Sequence, residues 1–528
     1  MSSLSRRGFL HTSVSVAAAV TASTALNAQA QDKPREKNTG KGAAAKEGAK
    51  EKAPAPDDVA AKPEAAEPEQ PKLTEFPKEK LRVAVMGCGG RGGSHVDAFA
   101  GTKGDTVVVA LCDPDQKHMA GYAKKVQDRQ PNMPEPRAEQ DIRRLLDDKN
   151  IDAVSIATCN HWHTLGAIWA IQAGKDVYVE KPCSHNVSEG RRLVEFARRH
   201  NKIVQHGTQS RSDGSIIAAI QFIRDGGIGK LQLARALCYK RRPTIGKVQG
   251  PQPIPPDIDY DLWCGPAPMK PLTREKLHYD WHYIWDYGNG DLGNQGVHQM
   301  DIAAWGIGAK ELPRAVQSAG GRLGYIDDGQ TPNTLMAMYD YGNAGKLLFE
   351  VRGLETDKVL GVGVGNIFYG TEGYVVIGAE GGPAAYTLDG EKIQGFKGPG
   401  EDHFQNFVKA VKSRKTDDLN AEIEKGHVSA ALCHLGNISY RTGSTKPLGG
   451  ESDLTLLAGN EAVSQTWHRT KKHLAKNGVD LATTEYVLGK KLTIDPRTEM
   501  FLGDAAQDAN PLLTRAYRKP YVVPDKIA

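Results

Sequence analysis

The sequence predicts an α/β chain: a doubly wound parallel sheet first, then an α+β domain on a large, mostly antiparallel open sheet. Three observations carry this. Apolar runs of strand length alternate with helix-period segments between Leu81 and Thr208, longer strands joined by turn signals follow Gln209, and a glycine cluster sits directly behind the first strand.

In the first half the strands are "LRVAVM" (Leu81–Met86), "TVVVALC" (Thr106–Cys112), "DAVSIAT" (Asp152–Thr158), "DVYVEK" (Asp176–Lys181) and "KIVQHGT" (Lys202–Thr208). Between them lie "TLGAIWAIQAG" and "SEGRRLVEFARRH", the second with Ser188 as its expected N-cap. Strands alternating with helices imply a parallel sheet covered on both faces, here residues 79–208. Residues 209–450 form the second domain, with strands expected at "LQLARALCYKRR", "NTLMAMYDYG", "GKLLFEVRG" and "EGYVVIG". A C-terminal extension, 451–528, holds a helix candidate near Asn460–Lys476 and is expected to pack on the second domain.

Two segments precede the ordered chain. "SRRGFL" (Ser5–Leu10), an alanine-rich weakly apolar stretch and "AQA" (Ala28–Ala30) resemble a twin-arginine export signal over residues 1–30, which implies a periplasmic or other extracytoplasmic location. Residues 31–78 are rich in Lys, Glu, Ala and Pro, a composition that cannot bury enough apolar surface to order itself, so a disordered linker is expected.

Composition excludes several functions. Mean hydropathy is −0.48 and no apolar run beyond the first thirty residues is long enough to cross a bilayer, so no membrane contact is expected beyond the signal. Net charge is +5; residues 1–80 carry 13 Lys and Arg against 11 Asp and Glu, so the rest of the chain has no basic stripe for nucleic acid. The seven cysteines are odd in number and lack C-x-x-C spacing, and His161 and His163 have no third ligand near them in sequence. Neither disulfides nor a metal are expected.

Gly87, Gly89 and Gly92 satisfy G-x-G-x-x-G directly after the first strand, with Gly90 and Arg91 in the same turn. That spacing makes a tight turn, lets a pyrophosphate approach the backbone and exposes N–H groups at the following helix start. A plain structural turn is the alternative. Asp113 ends the second strand, where a carboxylate accepts hydrogen bonds from ribose hydroxyls and repels a 2′-phosphate, which favours NAD over NADP.

"ATCNHWHTLGAIWAIQAGKDVYVEKPCS" (Ala157–Ser184), "DLWCGPAP" (Asp261–Pro268) and "DYGNGDLGNQGVHQMDIAAWGIG" (Asp286–Gly308) resemble the Gfo/Idh/MocA oxidoreductases over roughly residues 80–445. The hallmark is Glu180-Lys181-Pro182. The resemblance implies hydride transfer from a sugar or polyol CH–OH to NAD, with Lys181 taking the hydroxyl proton and Glu180, Asn160 and His163 beside the cofactor. It also implies His298 as a second proton carrier. Asn294, four residues earlier, should share its helix face, and Asp301 should orient the imidazole. Many family members carry an aspartate where this chain has Asn294, and an amide cannot relay a proton. Gln209, Arg211, Tyr239, Trp281, His282 and Trp285 are further candidates to line a sugar pocket, since sugars stack on aromatic faces and offer many hydroxyls. The second domain is expected to form a homodimer or homotetramer through its open sheet face.

Three functions are compatible with these residues. The first is a sugar or polyol oxidoreductase with a tightly held, recycled cofactor. The second is a redox-neutral glycoside hydrolase that oxidises its substrate transiently. The third, noncatalytic sugar binding, leaves Lys181 and His298 without a purpose.

Overall fold

Residues 73–101, 104–450, 454–456 and 460–525 are described by the computed structural model; the expected export signal and most of the expected linker lie outside them. β1 (Leu81–Met86) is buried on both faces, as the centre of a parallel sheet requires. It leads into α1 (Gly92–Phe99), β2 (Thr106–Cys112), α2 (Gln116–Arg129), β3 (Arg137–Glu139), α3 (Arg143–Leu146), β4 (Ala153–Ile156), α4 (Asn160–Gln172), β5 (Asp176–Val179), α5 (Val187–Arg199) and β6 (Val204–His206). The strands form one parallel sheet in the order β3-β2-β1-β4-β5-β6. Strand order reverses between β1 and β4, which opens a crevice at the carboxyl ends of the strands where ligands bind. α5 starts two residues earlier than the sequence suggests: Asn186 is its N-cap, accepting the Glu189 N–H, and Ser188 lies inside the helix.

The second domain runs through α6 (Gly214–Arg224), β7 (Leu231–Tyr239), α7 (Tyr260–Cys264), α8 (Gly290–Asn294), α9 (Gly296–Ile307), β8 (Ala315–Gly321), β9 (Thr334–Asp340), β10 (Lys346–Arg352), β11 (Val364–Gly370), β12 (Gly373–Ile377), β13 (Ala384–Thr387) and β14 (Lys392–Gly395). Then come α10 (His403–Ser413), α11 (Ile423–Arg441), β15 (Ser444–Pro447), α12 (Glu461–Lys476), β16 (Glu485–Leu488), β17 (Leu492–Asp495) and β18 (Met500–Leu502). The path of the second sheet is β14-β13-β12-β11-β7-β10-β9-β8-β16-β15, and β17 joins β8. Only β7 and β10 pair parallel within it. As expected, this sheet is mostly antiparallel. On one face Ala234, Ala236 and Cys238 of β7 pack with Val297, Met300 and Ala304 of α9 and Leu432 and Leu435 of α11.

Two segments depart from the sequence boundaries. α10 covers the first sheet: Phe407 and Val408 share a core with Val83, Val85 and Leu111, and Phe404 stacks on Tyr178 at 4.7 Å. The C-terminal extension packs on both domains rather than on the second alone. Val463, Trp467 and Leu474 of α12 bury Leu233, Met336, Met338 and Leu348 on the sheet face opposite α9, while Tyr521 sits 5.6 Å from the Trp162 ring in the first domain. All seven cysteines are unpaired thiols, and six are buried.

Trp467 is 3% exposed. Trp467→Ala should therefore cost about 3–5 kcal/mol, as truncating a large core aromatic does. Urea unfolding followed by circular dichroism measures it, and a cost below about 1 kcal/mol would mean that α12 does not cover the sheet.

Candidate active site

The glycine turn is shaped by two close approaches. Gly87 adopts φ 93°, and a Cβ there would lie 2.6 Å from the backbone of Ala157 and Thr158; at Gly92 it would lie 2.1 Å from the Gly87 carbonyl oxygen. These positions admit no side chain, so β1, β4 and α1 converge. At Gly90, by contrast, a Cβ would meet nothing within 4 Å. The expected phosphate donors shift accordingly. The N–H groups of Gly92, Gly93 and Ser94 at the start of α1 already donate to the carbonyls of Gly89, Gly90 and Arg91. The N–H groups of Gly89, Gly90 and Arg91 themselves make no backbone hydrogen bond.

Asp113 is 7% exposed and holds the turn from below, its carboxylate accepting the N–H groups of Cys88 (2.6 Å) and Asp115 (2.8 Å). Each oxygen keeps a second lone pair, which suits it to ribose hydroxyls. Asn160, 2% exposed at the first turn of α4, leaves its buried Oδ1 without a partner. A bare cradle, three free N–H groups and an orphaned acceptor at the strand ends fit a dinucleotide lying along the crevice.

Glu180 ends β5 and is 3% exposed. Its carboxylate pairs with Arg91 Nε (2.7 Å) and His95 Nε2 (3.3 Å) and accepts from Gln209 Nε2 (3.1 Å). Burial alone would raise this carboxyl; Arg91 and His95 outweigh it and hold it well below the usual range. Arg91, Glu180 and Gln209 are thus tied to one another and brace the site. His163 is likewise occupied, with Nδ1 2.5 Å from the Pro182 carbonyl and Nε2 3.0 Å from that of Thr158.

Lys181 Nζ donates to the backbone carbonyl of Asn294 at 2.6 Å. This contact exists because the expected continuous helix is broken. α8 ends at Asn294, α9 begins at Gly296, and the His298 N–H turns to Gln295 O (3.2 Å). The freed Asn294 carbonyl takes the lysine. Asn294 therefore acts through its backbone. Desolvation lowers the Lys181 pKa; Glu180 opposes this, while Arg91, Lys240 and Arg242 reinforce it. His298, in the first turn of α9, is held near pKa 3 by burial and by the Lys181 charge, so its imidazole is neutral.

Several expected pocket residues lie elsewhere. Asp301 does not orient His298. It is fully buried on Arg211 Nε (2.9 Å) and Ser429 Oγ (2.6 Å), and Arg211 also lies 5.1 Å over the Trp305 ring. Arg211 is thereby held on Asp301 through its Nε. Tyr239 points to the sheet face opposite α9, where its hydroxyl bonds Glu350. Strand alternation then turns its neighbour Lys240 the other way, and Lys240 Nζ lies 3.4 Å from Gln295 Oε1. Trp281 is half-buried against the cluster around Trp263 and Tyr287, and Trp285 takes Arg441 over its ring at 5.2 Å. His282 is fully buried, Nδ1 on the Tyr279 carbonyl and Nε2 unpartnered; burial holds it near pKa 4 against the pull of Asp291.

Sequence reading missed Lys240, Arg242, Tyr279 and Asp291. Arg242 pairs with Asp291 at 2.9 Å and donates to the Tyr279 hydroxyl at 2.5 Å. Period-two alternation through "LCYKRR" is the signal that points Lys240 and Arg242 inward once Tyr239 points outward.

Asp113→Ala should leave two buried N–H groups without an acceptor and lower NAD affinity ~10- to 100-fold, at about 1.5–3 kcal/mol for a charged hydrogen-bonding group. Fluorescence titration measures this; an unchanged Kd would detach Asp113 from the cofactor site.

Residues 81–208 match the model of the GFO_IDH_MocA oxidoreductase family, NAD-binding Rossmann fold, and residues 239–356 its C-terminal alpha/beta domain. Inositol 2-dehydrogenase 2 of Saccharopolyspora erythraea is 25% identical over 70% of this chain and 95% of its own. Glycosyl hydrolase family 109 protein 1 of Shewanella sp. (strain MR-4) is 30% identical over 29% of this chain and 34% of its own. The WlbA dehydrogenase of Chromobactrium violaceum, solved with NADH and UDP-GlcNAcA, has a similar fold at 18% identity and TM-score 0.53, over 70% of this chain and 96% of that one. The chain belongs to the Gfo/Idh/MocA oxidoreductase family, with its NAD-binding Rossmann domain and its C-terminal α/β domain.

Proposed function

We propose that this protein oxidises a secondary alcohol of a sugar or polyol, with NAD rather than NADP as its cofactor and Lys181 as the base. The observation that carries the reading is Lys181 Nζ, desolvated and tethered only by the Asn294 carbonyl, at the carboxyl end of β5 beside the bare glycine turn. A bound nicotinamide supplies the hydride acceptor. The loop N–H groups of Gly89 to Arg91 and the Asp113 carboxylate hold the dinucleotide, and the unpartnered Asn160 Oδ1 serves its nicotinamide end. Lys181 Nζ, in its neutral form, takes the hydroxyl proton as the C–H bond breaks. Neutral His298 accepts or donates a hydrogen bond to the same hydroxyl without adding charge. Lys240, whose charge acts on Lys181, and the unpartnered Nε2 of His282 are the groups we assign to the substrate's other oxygens.

The reading includes export by the twin-arginine route with the cofactor already bound, since a folded holoprotein would leave the cytoplasm with it. It also includes assembly through the part of the second sheet that α12 leaves uncovered. A redox-neutral variant, in which the hydride returns to the substrate after elimination, draws support from the likeness to a glycosyl hydrolase family 109 protein over a third of that protein's length.

Purified protein incubated with inositols, free sugars and glycosides, with products followed by mass spectrometry, separates these. A ketone formed with stoichiometric NADH, or with reduction of a second carbonyl compound, is expected; glycoside cleavage without net NADH supports the redox-neutral cycle instead.

Lys181→Met should retain nucleotide and lose at least ~10²-fold in rate, the usual contribution of a positioned base. Because the Lys181 pKa is lowered, the neutral base is populated further down the pH scale, so kcat/KM should rise with pH and level off below the ordinary lysine value of 10.5. Near-normal turnover in Lys181→Met, or a pH profile unchanged by it, contradicts this role.

A further inference from the structure

Beyond Asp113, at the end of the crevice away from Lys181, a segment of the second domain crosses onto the first. Asp115 and Ile258 form an antiparallel bridge, the Gln116 N–H donates to Asp257 O (3.0 Å), and the Asp259 N–H donates to Pro114 O (3.0 Å). Further along the same excursion of the second domain, His278 Nε2 lies 2.9 Å from Asp115 Oδ2. His118 Nδ1 lies 3.7 Å from the same oxygen and 3.9 Å from Asp113 Oδ1, and the two imidazole rings are 4.5 Å apart.

We propose that Asp115, His118 and His278 bind one divalent transition-metal ion of the zinc type, which pins the strap beside the glycine turn. The donor set of two imidazoles and one carboxylate suits zinc, cobalt or nickel and disfavours magnesium and calcium. Bonds of 2.0–2.2 Å in a tetrahedron place ligand atoms about 3.3 Å apart. The 2.9 and 3.7 Å separations bracket that spacing, and all three ligand atoms lie within 4.8 Å of one another. The carboxylate is already oriented, because its other oxygen accepts the N–H groups of Lys117 (2.9 Å) and His118 (3.3 Å) at the start of α2. His118 follows Asp115 by one helical turn, which puts both on one face. Both imidazoles are partly exposed, so an ion has a path in. As it binds, the ion takes the place of the hydrogen bond between His278 Nε2 and Asp115 Oδ2, and a water completes the fourth position.

The site adjoins the cofactor crevice. A Cβ on Gly89 would come within 3.3 Å of the His118 ring, and Asp113 is its other neighbour. A pinned strap therefore hinders the adenosine end of a bound dinucleotide from leaving. This effect rests on the NAD reading; ion binding does not. Sequence alone gave no metal signal because Asp115 and His278 are 163 residues apart.

The full chain, stripped with a chelator and then dialysed, is titrated with Co(II) by absorbance and then displaced with Zn(II), without nucleotide. One ion per chain is expected, with affinity at least 10-fold weaker in His118→Ala and in His278→Ala, and lost in the double variant. No saturable one-to-one binding, or unchanged affinity in the double variant, overturns the site. In a second measurement, the release rate of bound NAD should fall severalfold with Zn(II) in the wild type and stay unchanged in His278→Gln. An ion that binds without slowing release overturns the pinning while leaving the reaction untouched.

Discussion

The site hangs on one buried carboxylate that has to remain charged. Glu180 loses nearly all of its water, which is costly for an anion unless donors replace it. Those donors come from Arg91 of the glycine turn, His95 of α1, Gln209 at the entry to the second domain and the Lys181 N–H. His95 is anchored in turn by Ser155 Oγ on β4 at 2.7 Å. A single ionised group thus fixes the glycine turn, the end of β5 and the first residue of the second domain. Removing any one partner would leave the others around an under-solvated anion, so these parts cannot drift separately.

The same pairing decides the chemistry next door. Glu180 is adjacent to Lys181 in sequence, yet its carboxylate is turned to Arg91, and Lys181 Nζ is left with a neutral carbonyl. An ammonium held by a carboxylate keeps its proton; one held by a carbonyl, with Lys240 and Arg242 nearby, gives it up more readily. The break between α8 and α9 supplies that carbonyl. It also sets His298 in the first turn of α9, where the partial positive charge of a helix start further disfavours an imidazolium. The lowered Lys181 pKa therefore follows from where the Glu180 carboxylate and the Asn294 carbonyl point, the first set by Arg91 and His95 and the second by the helix break.

How much of this was legible follows from the range of the interactions. The glycine turn, the alternation of strands and helices, Asp113 and Glu180-Lys181-Pro182 are local patterns, and the parallel sheet they imply is the one found. Arg211, Asp301 and Tyr239 read as site residues because they are polar or aromatic near the right motifs. Their partners Ser429, Trp305 and Glu350 lie far along the chain, and only the fold reveals that they are already taken. The helix break at Gln295 was hidden for another reason. "GNQGVHQMD" keeps helical spacing across it, and spacing alone does not report which carbonyl is left free.

The C-terminal extension was the least legible part, and it changes what the second domain can do. An open sheet of this size exposes an apolar face that has to be covered. Here α12 covers the β7, β9 and β10 portion with Val463, Trp467 and Leu474. What remains is the β11 to β14 end, where the half-buried rings of Tyr369, Tyr374 and Tyr386 adjoin exposed Leu388 and Ile393. Tyr374 and Tyr386 stack at 5.1 Å across neighbouring strands, giving that end a rigid aromatic surface. A second copy that used the whole sheet face would have to displace α12 and re-expose Trp467. A copy that used only the aromatic end would not, so the extension confines any pairing through this sheet to its β11–β14 end.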